Sequence, residues 1–161
     1  RLEYVSEVEI YDYIKGQTFL PIYFIGEELS RHPLINFLTF FTYKTSLSLI
    51  KIVTDATLPL FGLGDSILPK PGTVLIKFKE SNQVYAAFEN PDNQYRPILR
   101  LIPNEEAAIK IVGEDWGDYI FELEPVFFGR FIMGRQLRAI DEINLREFIT
   151  IEELEALSVT P

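Results

Sequence analysis

Internal repetition constrains this chain more than any other feature. Ile10-Tyr11 opens a β-rich run, EIYDYI, followed by the turn Lys15-Gly16-Gln17-Thr18 and a second run, FLPIYFI. Further on, Val84-Tyr85 opens VYAAF, followed by the turn Glu89-Asn90-Pro91-Asp92-Asn93 and the run YRPILRLI. Pro21-Ile22 falls against Pro97-Ile98, and Glu27-Glu28 against Glu105-Glu106. LFGLGDSI (60–67) falls against RFIMGRQL (130–137), with Phe61 over Phe131 and Gly64 over Gly134. The offset drifts from 74 through 78 to 70, because Leu29–Val53 holds 25 residues where Ala107–Leu123 holds 17. The 161 residues have room for two small units of this kind. The expected division is 1–69 as a first unit, 70–140 as a second, and 141–161 as a strand and helix tail or a link onward. Pro69-Lys70-Pro71-Gly72 is the stiff junction.

Each unit reads as hairpin, helix, strand, short helical turn and exit, an α+β fold built on short antiparallel sheets. In the second unit Thr73–Lys79 and Val84–Phe88 alternate as half-buried strands around Glu80-Ser81-Asn82-Gln83. Asn104 caps a helix whose glutamates suit its positive end, Ala107, Ala108, Ile109, Ile111 and Val112 form its apolar side, and Gly113 stops it. The strand YIFEL follows, then a short helix begun by Pro125 and running through Phe127 and Phe128. In the first unit, 34–53 reads as a buried helix and a strand, with His32 early in that helix. Lys44 and Lys51 argue against a bilayer span, which needs about 20 predominantly apolar residues. In the tail, Asn144–Ile149 reads as a strand, and Thr150-Ile151-Glu152-Glu153 is a capping box for a last helix to Leu157.

Charge and composition remove whole classes of function. Fifteen Lys and Arg against 24 Asp and Glu leave a net charge of −9, which repels phosphate backbones and anionic headgroups. Nucleic acid and direct membrane insertion are therefore not expected. There is no Cys, which excludes disulfides, thiolate metal sites and cysteine nucleophiles, and His32 is the only histidine.

The order of motifs resembles a known tandem repeat. Lys70-Pro71-Gly72-Thr73-Val74-Leu75-Ile76-Lys77 is followed by Val84-Tyr85, Arg96-Pro97-Ile98 and Pro103-Asn104-Glu105-Glu106-Ala107-Ala108. Then come Gly113-Glu114-Asp115-Trp116-Gly117-Asp118-Tyr119-Ile120, Phe127-Phe128 and Gly134. This series is similar to a repeat of surface-layer-like and wall-associated proteins of small-genome bacteria, also found as an accessory repeat on exported wall hydrolases. The resemblance covers 70–137 well and 8–68 loosely. The first unit has no Trp at the Gly-x-Asp-Trp position and carries a longer insert. It implies an exported, non-catalytic cell-surface module in a tandem array, with a role in envelope architecture or attachment.

The candidate sites are few. Glu114, Asp115, Trp116 and Asp118 form an acidic loop that is a candidate for Ca²⁺, a cation taking roughly six to eight oxygens. The loop lacks the regular spacing of such sites, and a turn anchored by Trp116 explains it more simply; no cofactor is otherwise expected. Tyr11, Tyr85 and Tyr95, with Tyr13 and Tyr23, are candidate aromatic contacts for a sugar, against the alternative that they fill the core. Gly64-Asp65-Ser66 echoes the nucleophile block of one esterase family, but no Asp-x-x-His follows it and its partner Gly134-Arg135-Gln136 has no serine. It reads as a turn. The expected partners are further copies of the module, by self-assembly, or cell-wall polysaccharide. The alternatives are a carbohydrate-binding accessory module, and a small-molecule-binding or enzymatic domain with its site between the units.

Overall fold

The computed structural model describes residues 7–141, 143 and 147–160. The chain is α+β, with one four-stranded and one five-stranded sheet and short helices. It divides into two compact units, one running to Leu68 and taking in the last residues from Leu157, the other Pro69–Ala156.

The first sheet contains β1 (Tyr13–Gly16), β2 (Ile22–Ile25), β3 (Arg31–Pro33) and β4 (Ile50–Val53), in the order β3-β2-β1-β4. β1 pairs antiparallel with β2 and parallel with β4. One face is the apolar cluster of Ile14, Ile25, Val53 and Leu58. Tyr13 shares the other face with Phe24, and its ring lies 5.3 Å from those of Phe24 and Phe40. Burial pushes the Tyr13 phenol up to about 12.

The second sheet contains β5 (Leu75–Phe78), β6 (Val84–Phe88), β7 (Ile98–Ile102), β8 (Ile120–Leu123) and β9 (Ile132–Met133), in the order β8-β5-β6-β7-β9. The helix α2 (Glu105–Ile111) presses Ala107, Ala108 and Ile111 onto Leu75, Val84, Ala86 and Ile102. On the other face Phe78 meets Phe128 and Phe131 edge-on at 5.2 and 6.0 Å.

The two sheets share one strand order. Ile14 opposes Tyr23 and Lys51 as Ile76 opposes Tyr85 and Phe121. The offset is therefore 62 in the hairpin, 68 at the helix caps Asn36 and Asn104, and 70 from β4 and β8 onward. The strand matching Val84–Phe88 is thus β2, where the sequence comparison had set the EIYDYI run against it. That run also holds only one strand, since Tyr11 turns at φ 71 before Tyr13. The later matches of Phe61 with Phe131 and Gly64 with Gly134 keep their offset of 70: Gly64 N donates to Arg31 O as Gly134 N donates to Leu99 O.

Other expectations change for local reasons. Glu27-Glu28 lies in the tight turn joining β2 to β3, closed by Gly26 N to Ser30 O at 3.0 Å, whereas Glu105-Glu106, set against it in the sequence, begins α2. His32 is in β3, not in a helix. Between 34 and 53 only α1 (Phe37–Phe40) is α-helical, before a 3-10 turn at Leu47–Leu49 and β4. The Thr42 hydroxyl takes the Thr39 carbonyl and Ser46 caps the next turn, so local polar side chains compete with helix propagation. In the tail, 144–146 lies outside the described residues; Phe148 and Ile149 form no strand, although Ile149 N donates to Thr73 O at 2.8 Å. The capping box forms as read: Glu153 N donates to Thr150 Oγ1 at 3.1 Å and Thr150 N to Glu153 Oε1 at 3.3 Å, starting α3 (Ile151–Ser158).

Candidate functional site

Three segments of the second unit meet around a small groove. The turn after β5 bends at Glu80, with φ 69, and carries Asn82 and Gln83. The link from β7 into α2 carries Pro103, Asn104 and Glu105, and a 3-10 turn beyond α2 begins at Trp116. The groove between them holds about 200 Å³, with Val84, Ile102 and Ala108 as its apolar floor. Its rim is polar: Asn82, Gln83, Asn104 and Glu105 are exposed and Trp116 is half-buried against the core.

One rim amide is oriented by the protein: Asn104 Oδ1 accepts the cap bond from Ala107 N at 2.8 Å, which leaves its NH₂ group as a donor. Gln83 Oε1 accepts the Tyr85 hydroxyl at 3.0 Å on the sheet face opposite Val84. The matching end of the first unit is also hollow, with about 260 Å³ beside Leu20, Ile22, Phe37 and Ile52. There α1 is one turn long, Phe37 replaces Glu105 and Leu20 replaces Asn82, so that groove is mainly apolar, with Lys15 at its edge. A hollow of about 390 Å³ lies beside Phe88, Glu89 and Glu147.

The acidic loop does not converge. Glu114, Asp115 and Asp118 are exposed, and Asp115 Oδ2 accepts the Tyr119 hydroxyl at 3.1 Å, a bond that raises the Tyr119 phenol. Among the described residues no group of three or more His, Asp or Glu side chains stands close enough to hold a metal ion. Trp116 alone of the four belongs to the groove. The tyrosines scatter. Tyr85 is buried on the sheet face opposite the groove, beside Phe78, with its hydroxyl on Gln83 Oε1. Tyr95 is half-buried in the loop after β6, its N–H on Asn93 Oδ1 at 2.9 Å. Tyr11 is exposed, stacks on Phe24 with centroids 6.1 Å apart and donates to Glu27, a bond that raises its phenol. Tyr13 is core, and Tyr23 lies under the Arg31 guanidinium at 5.4 Å.

His32 is buried, 3% exposed. Its Nδ1 lies 2.7 Å from Asp65 O and its Nε2 2.6 Å from Glu28 Oε1. Each ring nitrogen is thus engaged by a neighbouring oxygen of the protein. Glu28 is held below the usual carboxylate range by its own backbone N–H and by His32. Gly64 lies against the imidazole, and the Gly64-Asp65-Ser66 segment anchors the histidine.

The exit segments form the second notable surface. After the 3-10 turn Asp55–Leu60 the chain bridges Arg31 to Leu63 in parallel; after Pro125–Arg130 it forms β9 on β7. These segments expose Leu60 at 79%, Leu63 at 68%, Val126 at 78% and Met133 at 48%.

Sequence reasoning missed Asn82 and Gln83 as groove residues, since an Asn-Gln pair in a turn explains itself without a ligand. It also gave Asn104 only its capping role. A Trp one short helix beyond that cap is the signal that joins them. Comparison with family models, with curated proteins and with solved structures finds no match for this chain.

Proposed function

We propose that this chain is a non-catalytic pair of envelope-surface modules that works by self-association through its exit segments. The observation that carries the reading is one exposed apolar side chain in each unit, Leu63 and Met133, at matching positions on the parallel bridges beside β3 and β7. Leu60 and Val126 add exposed apolar surface to the same two segments at positions that do not correspond. Single exposed hydrophobics are ordinary, but two exit segments that each expose apolar side chains suit association with a second copy of the chain. The resemblance of 70–137 to tandem surface-layer-like repeats points the same way and supports an exported location. The buried, doubly engaged His32 and the dispersed acids weigh against an enzymatic reading.

Sedimentation equilibrium over a wide concentration range tests the proposal. The native chain is expected to form dimers or larger species, and Leu63→Lys combined with Met133→Lys is expected to shift it toward monomer by at least tenfold in association constant. A native chain that stays monomeric at the highest concentration, or a double variant that associates equally well, overturns it.

A further inference from the structure

We propose that the groove of the second unit binds one neutral sugar ring of a polysaccharide. Its walls pair an indole, Trp116, with planar amides and a carboxylate, over an apolar floor of about 200 Å³. That volume is below the range of ordinary ligand pockets, so it admits a single ring and lacks the length for a peptide.

The polar groups select the ligand class. The Asn104 NH₂ group and the Trp116 indole N–H are donors, Glu105 is an acceptor, and Asn82 is both. Hydroxyls donate and accept, so a polyol ring satisfies this mixed set where a simple anion or cation does not. Among the described residues no Lys or Arg lines the groove, and the chain carries −9, which disfavours uronic acids and phosphorylated glycans. A pyranose also has an apolar C–H face to lie on an indole, and the fixed oxygen of Asn104 holds its NH₂ group in place before binding. The corresponding groove of the first unit differs among the described residues, because Leu20 and Phe37 stand where Asn82 and Glu105 stand in the second.

Trp116 is the only tryptophan, so its fluorescence reads this groove alone. The intact chain, dilute enough to be monomeric, is titrated with cellotriose, chitotriose and a trimer of galacturonic acid. The expected result is a saturable emission change with at least one neutral trimer, absent with the acidic one. Asn82→Ala combined with Glu105→Ala, checked by circular dichroism for an unchanged fold, is expected to weaken binding at least tenfold. No saturable change with either neutral trimer up to its solubility limit overturns the proposal. Equal binding of the acidic trimer, or undiminished binding by the double variant, overturns it as well. Self-association plays no part in the readout, so this test and the sedimentation test fail separately.

Discussion

At Gly64 one carbon decides whether the exit segment can lie flat against β3. A Cβ there would stand 2.4 Å from His32 Cε1, and the imidazole is held on both nitrogens. The corresponding Gly134 would place a Cβ 2.6 Å from Ile98 Cγ2, on a half-buried side chain that no hydrogen bond pins as the imidazole is pinned. Overpacking costs about 1–3 kcal/mol. Gly64→Ala is expected at the upper end of that range and Gly134→Ala at the lower, measured by urea unfolding; the reverse order would contradict the account of a pinned ring. The match of the two glycines was visible in the sequence. The histidine beneath one of them was not, because Arg31-His32-Pro33 has no strand-like alternation of its own and becomes a strand by pairing with Tyr23–Ile25.

The same logic separates the two short helices. Asn36 and Asn104 have nearly identical cap geometry, with φ −161 and −164, and each accepts a backbone N–H. Asn36 Oδ1 also receives the Thr39 hydroxyl at 2.6 Å, and Thr39 is fully buried. Loss of a cap costs about 1 kcal/mol, and a stranded buried hydroxyl adds about 1–3 kcal/mol. Asn36→Ala is therefore expected to destabilise the chain more than Asn104→Ala, despite the shorter helix, in thermal or urea denaturation. Equal losses would show that the Thr39 hydroxyl finds another partner. At this scale the second unit was legible nearly element by element, because Asn104, Gly113 and Pro125 are local signals acting on their own neighbours. In the first unit the insert was misread: its apolar run fits a helix by composition, while Thr42 and Ser46 end the helix by bonds that hydropathy does not register. The hairpin was set one strand out of step because alternating strands of similar length look alike until their partners are known.

For the whole molecule, the α+β class follows from the sequence, and strand order comes only from pairing. β1 and β5 lie between an antiparallel and a parallel neighbour, a placement that no single segment encodes. The groove was illegible for the same reason, since Asn82, Asn104 and Trp116 come to line it only once β5, β6, β7 and α2 are assembled. The central claim is that the apolar exit segments are where copies of this chain meet. Met133, the only methionine, lies half-exposed within one of them and serves as a reporter. Thioether oxidation by peroxide depends on access, and mass spectrometry reads its rate. The rate at Met133 is expected to fall several-fold as protein concentration rises from the monomeric into the associated range, and to stay high in the Leu63→Lys variant. A rate independent of concentration, in a protein that sedimentation shows to be associating, would place the interface elsewhere and contradict the account.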